Sequence, residues 1–167
     1  MGRIHAHQKR ELAKSLLGAH DREVICHGPY VSAWKNGERE SINWTKLPLP
    51  QYVVNRVMRH YRRFERHVAM LLGGTEIQSY EWEIEKEAKL RYIGLVLKEV
   101  DGLSLPGSRI VLLMHPPDNQ DIGIGDIMDE TGLSQARIHR IYDRCVKILA
   151  VRFLAEGLFF ENVGEAM

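Results

Sequence analysis

The chain has 167 residues, 44% of them hydrophobic and 27% charged, a balance that fits a soluble globular protein of one domain or two small ones and excludes a disordered chain. The formal net charge of only +1 excludes a uniformly basic surface, so any affinity for nucleic acid has to come from local patches. No apolar run is long enough for a bilayer span and the opening MGRIHAHQKRE has no apolar signal core, so neither a membrane partner nor a secretory route is expected. The cysteines, Cys26 and Cys145, are far apart, and a reduced intracellular protein is the default reading.

Residues 3–20 are expected to be helical in their second half, with Leu12, Leu16 and Leu17 on one side. His5, His7, His20, His27 and Cys26 fall in or near this segment. They lack the paired spacings of a zinc site, so no metal and no cofactor is expected. Residues 27–50 change texture. Asn36-Gly37 is a two-residue hairpin signal, because both central residues of such a turn need positive φ. Tyr30, Ser32 and Trp34 before it and Arg39, Ser41 and Asn43 after it alternate as two short strands would, with an ordered loop as the alternative. Trp34 and Trp44 stand beside Lys35, Arg39 and Lys46. They either stack on bases or a partner or, on the simpler reading, pin this loop to the helical core.

Pro48 and Pro50 open a long helix over about residues 50–72, since proline suits a first turn. Its buried stripe is predicted to be Val54, Val57, Met58, Tyr61, Phe64, Val68, Leu71 and Leu72, with Gly73-Gly74 ending it. Arg56, Arg59, Arg63 and Arg66 form a second stripe, with His60 and Arg62 beside it. Such a face is a phosphate track, the complement of an acidic protein, or a solvated surface. Residues 76–87 carry Glu76, Glu81, Glu83, Glu85 and Glu87 against Lys86 alone, so the two charge runs could also meet each other in an antiparallel helical hairpin. From Ala88 to Val100 that helix turns apolar, and Leu90, Ile93, Leu95, Val96 and Leu97 make it the expected central core helix. SRIVLLM, Ser108 to Met114, is a short buried helix or strand, and residues 118–121 are a polar linker.

Ile124 to Leu154 reads as a short helix, a tight turn at Thr131-Gly132-Leu133, and a long helix opened by Ser134 as N-cap. Ile138, Ile141, Cys145, Ile148, Leu149 and Phe153 recur at helical spacing, while Gln135, Arg137, His139, Arg140 and Arg144 fall largely off that face. That is the layout of a helix-turn-helix whose second helix presents base-reading side chains. A helical hairpin with solvated basic residues is the plain alternative. Leu158, Phe159 and Phe160 are expected to fold back on the core. The fold class is therefore mainly α, with a possible short β-hairpin at about 30–43. The chain divides into 1–47, 48–117 and 118–167, expected to pack as one unit.

No phosphate-binding loop, dinucleotide fingerprint, nucleophile elbow or zinc-protease motif is present, and Glu81, Glu83 and Glu85 alternate so that a helix points them apart. Asp118, Asp121, Asp126 and Asp129 would need an unforeseen fold to hold a metal pair. No enzyme activity is expected on these grounds.

The segment GLSQARIHRIYDRCVKIL resembles the helix-turn-helix of region 4 in bacterial sigma factors, in its run of glycine, aliphatic, serine, arginine and paired isoleucines. It departs from that pattern at Met128, where a small residue is usual, and at Thr131, where a larger apolar one is common. With the arginine-rich helix ahead of it, the chain is similar to the Q-type late-gene antiterminators of lambdoid phages and their prophage relatives. The resemblance implies a protein of the bacterial cytoplasm that binds double-stranded DNA near a late promoter, engages RNA polymerase, with or without its sigma factor, and makes the enzyme read through terminators. Gln135, Arg137, His139 and Arg140 would then read DNA, with Ser134 at the head of the helix and Arg144 or Lys147 nearer phosphate. By charge alone, Trp34, Lys35, Arg39, Arg56, Arg59, Arg63 and Arg66 are candidates for contact with polymerase or nascent RNA. Two other functions compete with antitermination: a promoter-bound phage activator or repressor, and a nucleic-acid-processing nuclease.

Overall fold

The computed structural model describes residues 2–18, 23–72 and 80–159. Among them, six helices accompany a three-stranded antiparallel sheet in the order β1-β2-β3. The mainly helical class and the hairpin are both present. Gly73-Gly74, Glu76, His20 and Phe160, each singled out above, lie outside the described residues.

α1, Arg3–Leu17, is helical over its whole length, and Gly18 ends it in the left-handed region at φ 67°. Leu12 faces the main core, whereas Ala13 and Leu17 face a second, smaller cluster with Val31 and Ala33 of the sheet. This helix is the joint between the two. β1, Val24–His27, precedes β2, Tyr30–Lys35, and β3, Glu38–Asn43. Asn36 at φ 53° and Gly37 at φ 80° make the expected turn. β1 was not foreseen, because four residues with one partly buried side chain carry no alternation to read.

α2, Pro50–Leu72, buries Val53, Val54, Val57, Met58, Tyr61, Phe64 and Val68. The predicted stripe overshoots at Leu72, which is exposed, since α2 runs on beyond its packed length. α3, Tyr80–Asp101, lies against α2. Its buried row is Lys89, Tyr92, Val96, Glu99 and Val100, whereas Leu90, expected inside, is exposed. The stretch Leu90 to Leu97 is apolar nearly all round, so composition does not choose the face; packing against α2 does.

α4, Gly107–Met114, is the helical outcome of the helix-or-strand alternative. Gly107 lets it rest directly on α6, since a Cβ there would stand 2.8 Å from the Cys145 sulfur. α5, Ile124–Thr131, and α6, Gln135–Ala155, follow. Buried on α6 are Ile138, Tyr142, Cys145, Val146, Leu149, Ala150 and Phe153. Ile148 was placed in this row by its type, but it is partly exposed on the outer flank. Leu158 returns to the core as expected, its N–H donating to the Phe153 carbonyl at 2.9 Å, and Phe159 is partly buried against the same cluster.

One polar network ties α2, α4 and α6 together. The Tyr142 hydroxyl lies 2.7 Å from His115 Nε2 and accepts from Gln51 Nε2 at 2.9 Å. Arg62 donates to the His115 carbonyl at 2.8 Å and to the Leu112 carbonyl at 3.1 Å, satisfying the orphan carbonyls at the end of α4. Burial, followed by the Arg62 charge, pushes the His115 imidazole down to about 4.

Candidate nucleic-acid interface

The turn between α5 and α6 is fixed by its own side chains. Gly132 takes φ 72°, and its N–H donates to the Met128 carbonyl at 2.8 Å. Thr131 Oγ1 donates to the Ile127 carbonyl at 2.7 Å and accepts from the Leu133 N–H at 3.3 Å. Thr131 thus fills with hydrogen bonds a position where an apolar residue would pack. Met128 is accommodated as a partly buried side chain against the core. Ser134 caps α6, its hydroxyl accepting from the Arg137 N–H at 3.2 Å. At the start of α5 the Asp126 carboxylate accepts from the Gly123 N–H at 2.9 Å. Arg109 Nε donates to Glu130 at 2.7 Å, joining α5 to α4.

Ser134, Gln135, Arg137, His139, Arg140, Arg144 and Lys147 are all exposed. Arg137, Arg140, Arg144 and Lys147 recur at steps of three and four, so they form one outward row opposite Ile138, Cys145 and Leu149. Gln135 and His139 stand to the side of that row and are also exposed. Among the described residues, none of the row's cations has an ion pair. Asp143 lies at the row's edge and no carboxylate lies on it. The row is long enough and clear enough to present guanidinium groups to phosphate oxygens or base edges.

The arginines of α2 separate into different roles. Arg62 is structural, as described above. Arg66 pairs with Asp118 at 3.3 Å across open surface, an interaction of small energetic weight. Arg56 donates to the Tyr52 hydroxyl at 3.4 Å and lies over the Phe159 ring. Arg59 and Arg63 are exposed with no acidic partner among the described residues. In α3, Glu83 pairs with Lys86 and Glu85 with Lys89, both within that helix. The field of the stripe is felt next door. His60 is lowered from the ordinary imidazole range by burial and then by Arg63, Arg56 and Arg59.

The tryptophans separate as well. Trp44 is pinned to the body: its indole N–H donates to the Gly28 carbonyl at 3.1 Å and Arg10 lies over its ring. Trp34 is 64% exposed. Lys35 and Arg39 are exposed beside it, so Trp34, Lys35 and Arg39 belong to one hairpin, away from the α6 row along the chain. Cys145 is buried, which raises its thiol, and Cys26 is exposed. Among the described residues, no three His, Cys, Asp or Glu side chains are grouped to hold a metal ion, and no helix is long and apolar enough to cross a membrane.

Sequence reasoning missed Tyr142, His115 and Gln51 as the polar pin behind α6, because their meeting depends on residues 91 positions apart. No family model, curated protein or solved structure matches the chain.

Proposed function

We propose that the protein is a transcription regulator that binds double-stranded DNA through α6 and acts on RNA polymerase so that it reads through terminators in phage late genes. The observation that carries the DNA part is the unpaired cationic row Arg137, Arg140, Arg144 and Lys147, which follows a capped helix start and stands opposite a fully packed face. Gln135, Arg137 and Arg140 sit at the N-terminal part of the helix, the part that reaches base edges when such a helix enters a major groove. Arg144 and Lys147 are further along, in reach of phosphate. The polymerase part rests on the likeness of the Gly132-to-Leu149 segment to sigma region 4. The open arginines of α2, Arg59 and Arg63, offer a second cationic surface to an acidic partner.

Selection from random duplexes with the intact protein tests the DNA part. A preferred sequence is expected, with an affinity that falls steeply as salt rises. Arg140→Ala should weaken binding to that sequence by about 1–3 kcal/mol, with circular dichroism unchanged. Equal binding of all duplexes by both proteins would remove the DNA reading. A run-off assay with a terminator downstream then separates the two regulators. An antiterminator raises full-length RNA at fixed initiation, whereas a regulator that stays at its promoter changes initiation alone. Cleavage of the duplex that requires a divalent metal would replace both with a nuclease.

A further inference from the structure

We propose that the outward face of the β1–β2–β3 sheet binds single-stranded RNA, with Tyr30 and Trp34 as stacking platforms for its bases. The site is separate from α6 and does not depend on the DNA reading. The strand register decides which side chains share this face. Ile25 pairs with Ser32 and His27 with Tyr30 on one side of β2. On the other side, Tyr30 pairs with Asn43, Ser32 with Ser41, and Trp34 with Arg39. Side chains alternate along a strand, so these residues point one way. Val24, Val31, Ala33 and Ile42 point the other way and form the cluster on α1.

The same alternation sorts the charges. Glu38, paired with Lys35, and Glu40, paired with Ala33, belong to the α1 side. Within the three strands the outward face therefore keeps a guanidinium, an imidazole, hydroxyls, an amide and the exposed side chain of Ile25, and their carboxylates, Glu38 and Glu40, belong to the other face. Trp34 is 64% exposed and Tyr30 45%. They are four residues apart on β2, about 13 Å at strand rise, so each ring can take a different base. Arg39 stands directly across from Trp34, and its guanidinium reaches toward Ser32 Oγ at 3.5 Å, across the middle of the face. Ser41 shares a hydrogen bond with Ser32 at 2.7 Å and is itself exposed, leaving it able to bond to a ribose 2′-hydroxyl.

This chemistry favours a single strand over a duplex, because stacking on a protein ring needs a base that is not already stacked on both sides. It favours RNA over a protein partner because each ring stands beside a polar or cationic side chain, Trp34 across from Arg39 and Tyr30 between His27 and Asn43, whereas the core of a protein-docking patch is depleted of charge. The fold does not account for Trp34, in contrast with Trp44, whose indole N–H and ring are both engaged.

The test uses the intact protein and a labelled mixed-sequence single-stranded RNA of about 12 nucleotides, followed by anisotropy and by tryptophan quenching at low salt. Wild type should bind with quenching. Trp34→Ala should weaken binding by about tenfold or more, and Trp34→Phe should recover most of it, since a phenyl ring still stacks. Arg39→Gln, which leaves both rings in place, should also weaken binding and flatten its salt dependence. Arg140→Ala should leave RNA binding within about twofold, because distant sites act independently; this keeps failure of the DNA reading distinct from failure here. The matching DNA strand should bind more weakly. Equal affinity for the two strands, a Trp34→Ala variant that binds as wild type, or RNA left free by wild type would each overturn the proposal, and the last result would leave the face to a protein partner.

Discussion

α6 and the sheet each turn a face with exposed basic side chains outward, but they are anchored on different scales. Opposite Arg137, Arg140 and Arg144, α6 sets Ile138, Leu149 and Phe153 into the main core, all of them fully buried. The sheet rests on α1 through Val31 and Ala33 against Ala13 and Leu17, a cluster with fewer buried residues than that core. Apolar stabilisation scales with area removed from water, so the outward row of α6 stands on the larger of the two apolar clusters and the sheet on the smaller. A rigid rod suits recognition of a rigid duplex, where geometry has to be held before contact. A lightly anchored sheet suits a flexible ligand that can adjust to it.

The largest expected effect breaks the molecule at the first of these places. Phe153→Ala should cost about 3–5 kcal/mol in denaturant unfolding, with amide protection in α2 and α6 falling together. Val31→Ala removes less apolar volume from a smaller cluster and should cost about 2 kcal/mol or less. Its faster hydrogen exchange should stay within β1–β3 and the facing turn of α1. If Val31→Ala speeds exchange in α6 as much as in the sheet, the two regions are one cooperative unit and the contrast is void.

His115 sharpens the contrast by pH. Its imidazole is pressed down to about 4 by burial and the Arg62 charge, against 6.5 when unperturbed. Between these values the unfolded chain binds a proton that the folded chain refuses. Stability is therefore complete above about pH 6.5 and falls as the pH drops toward 4, by up to about 3 kcal/mol. His115→Gln, which keeps a polar partner for Tyr142, should flatten that window in urea titrations at successive pH values. His60, lowered in the same direction, remains in both proteins and cancels in the difference. Melting at the α4–α6 contact should lead the loss, with the sheet following only on global unfolding. A wild-type profile flat from pH 7 to about 4 would mean that His115 reaches solvent.

How far the sequence could be read follows the reach of each signal. Gly132, Ser134 and the Asn36-Gly37 turn are decided within a few residues, and their backbone angles and caps are as expected. The cationic row of α6 is legible because its periodicity is local and its opposite face is plainly apolar. Arg62 and Arg63 are neighbours of one type, yet one satisfies the end of α4 and the other faces water; only the position of α4 distinguishes them. Lys89 is nearly buried, held by Glu85 at 2.8 Å and lying over Phe64, and nothing adjacent in the chain announces this. The same holds for Trp34 and Trp44, whose opposite fates are set by strand register and by the Gly28 carbonyl. What the chain writes locally is readable; what a neighbour from another element decides is not.

The smallest effect tests whether the base-reading end of α6 owes its order to the core or to its own cap. Gln135 and Arg137 precede the first fully buried residue, Ile138, so packing holds them only indirectly. The Ser134 hydroxyl, accepting from the Arg137 N–H, holds them directly. Ser134→Ala should therefore cost about 1 kcal/mol, whereas Ser134→Gly should cost a few tenths. Exchange of the Arg137 amide should quicken, while amides around Leu149 keep their protection. Ser134→Asp retains an acceptor and places negative charge at the positive end of the helix, so it should match wild type in exchange. It should nonetheless weaken duplex DNA binding, because the new carboxylate would face phosphate. If Ser134→Ala left the Arg137 amide as protected as in wild type, the turn at Gly132 and the core would already fix this end, and the rod would need no cap.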